Sequence, residues 1–139
     1  MEGFRAVILA AGKGTRLKSE LPKVLHPLFG KPLLLRVLDT LNCLSVKEAC
    51  VIVGHGREQV AEALNAYEVA CAVRPVVQEP QLGTGHALLQ VRQKLADWTG
   101  YTGNVLILSG DVPLLEAATL QGLLDTHGGL CVFPVAFSA

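Results

Sequence analysis

The stretch Phe4-Arg5-Ala6-Val7-Ile8-Leu9-Ala10-Ala11-Gly12-Lys13-Gly14-Thr15-Arg16 decides how the rest of the chain is read. Its first part is an almost unbroken apolar run of strand length, the pattern of a strand buried on both faces of a parallel sheet. The run stops at small residues and two glycines. Glycine lets the backbone approach a ligand closely and turn N–H groups toward phosphate oxygens. Lys13 and Arg16 place cations beside them, and a charge-assisted hydrogen bond contributes about 1.5–3 kcal/mol. Two common phosphate loops do not fit. A dinucleotide fingerprint needs a third glycine where Leu17 stands, and the Walker pattern occurs nowhere in the chain. Taken alone, the segment also reads as an ordinary Gly-rich turn.

The same alternation continues outward. Ala49 to Val53 is a second strand, ended by Gly54-His55-Gly56; Val69 to Val77 is a third; Val105 to Leu108 is a fourth, closed by Ser109-Gly110-Asp111; Leu130 to Phe137 is a fifth. Between them, apolar residues recur at helical spacing: Leu33, Leu34, Val37, Leu38 and Leu41 after Pro32; Val60, Ala61, Leu64 and Tyr67; Ala87, Leu88, Val91 and Leu95; Leu120, Leu123 and Leu124. Strands separated by helices predict an α/β fold, a mostly parallel sheet with helices on both faces and right-handed crossovers. The chain ends on an apolar strand with no closing helix, the mark of a truncated domain.

Composition narrows the function. A chain of 139 residues predicts one domain. Half of it is apolar and 17% charged, which favours a packed core over disorder. Aromatics at 5% are too few for a base-stacking platform, and the zero net charge argues against a nucleic-acid partner. The apolar runs are too short for a membrane span, and the N-terminus does not look like a signal peptide, so a soluble, cytoplasmic protein is expected. The charge is unevenly spread. Residues 1–36 hold seven bases against two acids, a net of +5, and the remainder balances it at −5. That cationic end coincides with the Gly-rich turn and suits a compact polyanion. Cys43, Cys50, Cys71 and Cys131 have no metal-binding spacing and are expected to be buried, reduced thiols.

In a doubly wound sheet, ligands bind at the carboxyl ends of the strands. Four of the loops expected there carry chemistry. Beyond the first, Lys23 in Leu21-Pro22-Lys23-Val24-Leu25 can act as a point charge aimed at phosphate, or as a plain surface lysine. Gln78 and Gly83-Thr84-Gly85-His86 offer an amide and exposed backbone to a base edge, with Thr84 also expected to cap the next helix. Asp111 suits Mg²⁺, which is commonly held by one or two carboxylates and phosphate oxygens, or else simply forms a turn. His55 and His86 read as structural.

Together, Leu9-Ala10-Ala11-Gly12-Lys13-Gly14-Thr15-Arg16, Leu21-Pro22-Lys23-Val24-Leu25, Gln81-Leu82-Gly83-Thr84-Gly85-His86-Ala87 and Gly110-Asp111-Val112-Pro113-Leu114 resemble the sugar-nucleotide pyrophosphorylases. The resemblance is to the N-terminal uridylyltransferase domain of the bacterial enzymes that also carry a glucosamine-1-phosphate acetyltransferase domain. It implies a three-layer, Rossmann-like nucleotidyltransferase fold, with residues 1–139 forming its nucleotide-binding part. It implies transfer of UMP from UTP to N-acetylglucosamine 1-phosphate with Mg²⁺ as cofactor, in a parent that is a homo-oligomer. By position, Leu9, Ala10, Ala11, Gly12 and Gly14 would hold the nucleotide. Arg16 and Lys23 would serve catalysis by neutralising phosphate charge. Gln78, Gly83 and Thr84 would contact uracil, and Asp111 would bind the metal. Ser109 stands where many relatives carry Tyr, and the family's second metal-binding Asp falls beyond Ala139. Transfer to another sugar 1-phosphate, use of dTTP, and a non-catalytic nucleotide-binding module are the alternatives.

Overall fold

The computed structural model describes residues 4–12, 20–68 and 71–126. Four parallel strands form the sheet: β1 (Phe4–Leu9), β4 (Val46–Val53), β5 (Ala72–Val77) and β6 (Val105–Ser109), in the spatial order β5-β4-β1-β6. Two short strands, β2 (Pro27–Leu28) and β3 (Lys31–Pro32), make a separate antiparallel hairpin. Its turn places Phe29 and Gly30 at φ 51° and 78°, the left-handed pair that tight hairpins require.

The apolar run of β1 is explained by its position in the middle of the sheet. Ala6 and Ile8 face one layer of helices and Val7 the other, and all three are buried. On the first face lie α1 (Leu33–Asn42), α2 (Arg57–Asn65) and α5 (Ala117–Thr126), which send Leu34, Leu38, Val60 and Leu120 into one core. On the second face α3 (Thr84–Lys94) packs Ala87 and Val91 against Cys50, Ile52 and Val76. The short helix α4 (Ala96–Thr99) adds Trp98 to that side. This is the expected three-layer α/β architecture. Edge strand β5 tolerates Pro75 because a proline cannot donate to a neighbouring strand and an edge asks less of it.

Several local expectations need correction. Pro32, a residue type suited to a helix's first turn, instead precedes α1 as its cap, and α2 ends at Asn65, leaving Tyr67 outside it. Thr84 does not cap α3. Gly83 occupies that position at φ 106°, a backbone angle that a side chain would strain, and Thr84 is the first helical residue. The helix expected to run through Leu95 breaks there, where an extended backbone separates α3 from α4. Among the described residues, Cys43 is exposed, Cys71 half-buried and Cys50 fully buried, and desolvation, with Glu48 nearby, pushes the Cys50 thiol up to about 12. The strand expected at 130–137, Cys131 within it, and Val69 lie outside the described residues.

Candidate active site

The sheet grows from β1 through β4 to β5 and then reverses, placing β6 on the other side of β1. At such a reversal the loops leaving two neighbouring strands diverge and open a crevice at their carboxyl ends. A cleft of about 480 Å³ lies there. Leu9, Ala10, Ala11 and Gly12 line it from the end of β1, and Ser109 and Asp111 from the end of β6. Lys23 enters from a single 3₁₀ turn, Lys23–Leu25, anchored by the buried Val24 and Leu25. Gln78, Gly83 and Thr84 close it from the far side. The cleft therefore brings together every candidate within the described residues. Gly14 and Arg16, with Lys13, lie outside them.

Small residues here are a packing requirement. A methyl on Gly110 would sit 3.1 Å from the Leu9 carbonyl and 3.2 Å from Val24, so a side chain there would push the β6 loop or β1 apart by a few tenths of an ångström. Among the described residues, nothing stands within 4 Å of where a Gly12 side chain would begin. The Ala10 N–H is already bonded to the Ile52 carbonyl at 2.9 Å, so Ala10 lines the cleft as a wall and donates nothing to a ligand.

Lys23 and Asp111 meet directly: Nζ lies 2.9 Å from Oδ2. The Ser109 hydroxyl donates to the same carboxylate. Burial raises the Asp111 pKa, but the hydrogen bonds from Ser109 and Lys23 outweigh it and hold the group below the usual carboxylate value. It is thus an anion at neutral pH, as a metal ligand must be. Among the described residues no cluster of three His, Cys, Asp or Glu could cage a cation. One ionised carboxylate does fit Mg²⁺ held jointly with phosphate oxygens and water.

At the opposite wall, the Gln78 side chain is 4% exposed and its Nε2 donates to the Gly83 carbonyl and to His86 Nδ1, both at 3.0 Å. Sequence reasoning did not single out Gln81, which lines this cleft and an adjoining hollow of about 730 Å³ bounded by His55. Its place in the Gln81-Leu82-Gly83-Thr84-Gly85 run is the signal that could have found it. At the rim of that hollow, Arg57 Nη1 bonds Glu79 Oε2 at 2.9 Å and ties the start of α2 to the loop after β5.

A cleft of phosphate-sized polar groups at a strand switch point is common to many α/β proteins, and the comparisons decide among them. Residues 6–137 match the MobA-like NTP transferase domain family. The chain belongs to that family. As an NTP transferase domain it has near relatives at higher identity. It is 57% identical over 122 residues to the bifunctional protein GlmU of Janthinobacterium sp. (strain Marseille), covering 88% of this chain and 25% of that protein. Against GlmU of Exiguobacterium sp. the figures are 51% over 127 residues, 91% and 26%. The chain thus spans about a quarter of the length of these relatives. Among solved structures, a nucleotidyl transferase from Methanothermobacter superposes with a TM-score of 0.70 at 26% identity, covering 91% of this chain and 58% of that one. CTP:phosphocholine cytidylyltransferase from Streptococcus pneumoniae gives 0.63 at 25%, covering 84% and 50%. The NTP transferase fold is the nucleotidyltransferase fold expected from the sequence. Among the described residues, no helix is long and apolar enough to cross a membrane.

Proposed function

We propose that this chain is the nucleotide-binding part of a uridylyltransferase that moves UMP from UTP to N-acetylglucosamine 1-phosphate and releases pyrophosphate. The observation that carries the reading is the single cleft joining the β1 loop, Lys23, the Gln78–Thr84 segment and Asp111. The likeness to the GlmU proteins and the sequence motifs support uridine and the amino-sugar phosphate over other pairs. In this reading a phosphate oxygen of the sugar phosphate attacks the α-phosphorus in line. The new O–P bond forms as the bond to the bridging oxygen breaks, and pyrophosphate leaves with the electron pair. No protein nucleophile is needed, so the chain contributes position and charge.

The residues divide the work by chemistry. Gly12 and Gly14, with the backbone from Leu9 to Ala11, bring main chain close to the phosphates. Lys23 and Arg16 neutralise charge that builds on the transferring group. Gln78, Gly83 and Thr84 face the base. Asp111 would hold Mg²⁺, which when bound draws charge from the phosphate oxygens and favours departure of pyrophosphate. Lys23 is paired with Asp111 in the free protein, and with that carboxylate engaged by a cation its ammonium would be available to the phosphates. The free thiols Cys43, Cys50 and Cys71 suit a reducing, cytoplasmic setting. The test is a pyrophosphate-release assay offering UTP, CTP and dTTP with several sugar 1-phosphates. Fastest turnover with UTP and N-acetylglucosamine 1-phosphate is expected. Equal turnover with all nucleotides, or a different preferred sugar, overturns the assignment.

A further inference from the structure

Gln78 follows β5 and is buried among groups that leave its amide little choice. Its nitrogen lies 3.0 Å from the Gly83 carbonyl oxygen. A carbonyl can only accept, so this contact settles which end of the amide is nitrogen. The same nitrogen lies 3.0 Å from His86 Nδ1, which must therefore carry no proton and accept. His86 is then the neutral tautomer with its proton on Nε2. The Gln90 amide nitrogen lies 3.1 Å from Nε2 and 3.4 Å from Gln93 Oε1; a half-turn of the Gln90 amide, matched by one of the exposed Gln93 amide, gives the ring N–H its acceptor and keeps the Gln90–Gln93 bond. Gln78 and Gln90 are buried, at 4% and 8% exposed, and His86 is half-buried between them, so the Gln78 amide meets protein groups more than solvent, although Gly83 is exposed. Both N–H bonds of Gln78 are thus committed, and since Gln78 lines the cleft and no donor among the described residues bonds its carbonyl oxygen, that oxygen is the group left for a ligand.

We propose that His86 is a positioning residue that fixes the Gln78 amide with its oxygen toward the ligand, so that the cleft accepts a hydrogen bond from the base. Without the ring, only the Gly83 carbonyl would oppose rotation of the amide. An acceptor at that point matches the ring N3–H of uracil or thymine and repels the N3 lone pair of cytosine. The inference rests on the uridylyltransferase reading and extends it to a residue that need not touch the nucleotide.

Calorimetric titration of the 139-residue chain with UTP, CTP and inorganic tripolyphosphate, in the presence of Mg²⁺, tests it. His86→Phe keeps the ring and removes both nitrogens. It is expected to weaken UTP about tenfold, the worth of one net hydrogen bond, and to level the UTP:CTP ratio. Tripolyphosphate affinity should not change. His86→Asn, which can return an oxygen acceptor near the Nδ1 position, should restore most of the ratio. A ratio kept by His86→Phe, or one lost equally in both variants, overturns the proposal. Nitrogen-15 NMR of the wild-type imidazole tests the tautomer without any variant: an unprotonated Nδ1 supports the proposal and a protonated Nδ1 refutes it. A wild-type chain that binds tripolyphosphate but does not prefer UTP overturns the uracil reading instead, and the NMR tautomer still decides whether His86 holds Gln78.

Discussion

The two ends of the parallel sheet use similar residues to opposite effect. At the amino end, on the α3–α4 face, charge is closed in on itself. Arg74 Nη1 bonds Glu48 Oε1 at 2.8 Å and Asp97 Oδ2 at 3.0 Å, and Trp98 Nε1 donates to Glu48 Oε2 at 3.2 Å. The Arg5 guanidinium lies over the rings of Tyr101 and Trp98, 4.1 and 5.0 Å from their centres, while Nη1 donates to the Asp97 carbonyl. Each charge there is answered by a neighbour, and a ligand would have to break something to enter. At the carboxyl end the backbone is stripped to alanine and glycine, Gln78 keeps an acceptor in reserve, and Lys23 and Asp111 pair with each other across the cleft. The first end secures the sheet; the second holds groups that line an open cleft.

That contrast can be broken by experiment. The largest expected effect is at the cleft: Lys23→Ala should lower UTP affinity by about 1.5–3 kcal/mol, the worth of a charge-assisted contact, with little change in melting temperature. Unchanged affinity in calorimetry would remove Lys23 from the phosphate site. Next, Asp111→Asn should weaken UTP binding about tenfold in Mg²⁺ and erase its Mg²⁺ dependence, at a folding cost under about 1 kcal/mol because the Lys23 pair is partly exposed. A mutant that still responds to Mg²⁺ would show that the metal is held elsewhere. The converse change belongs to the other end. Glu48→Gln should lower the melting temperature by about 4 °C, following loss of a partly buried ion pair, and leave UTP affinity untouched. A fall in affinity would mean that the two ends are coupled.

The smallest effect concerns acid. Because the folded Asp111 has a depressed pKa, its contribution to stability is full above the unfolded carboxylate value and is lost as pH falls through the lower, folded one. The stability difference between wild type and Asp111→Asn should therefore be flat from neutrality down to about pH 4 and vanish below it. A difference that disappears near neutral pH would contradict the Ser109 and Lys23 contacts.

Much of this molecule was legible in its residues. Runs such as Phe4–Leu9 and Ala49–Val53, short and bounded by turn residues, read as strands buried on both faces, and the spacing of the leucines after Pro32 reads as one side of a helix. Period and punctuation report backbone state locally, and glycines mark where the chain must turn, so the layers and the loops that bear the chemistry were set by sequence. Contacts between distant segments were not. The Lys23–Asp111 pair, the amide of Gln78 held by His86, the closed cluster around Arg5 and Glu48, and the choice of Gly83 over Thr84 at the head of α3 all depend on which strands lie side by side. Strand order is a property of the whole packed sheet, decided when both faces are covered at once, and no local pattern carries it.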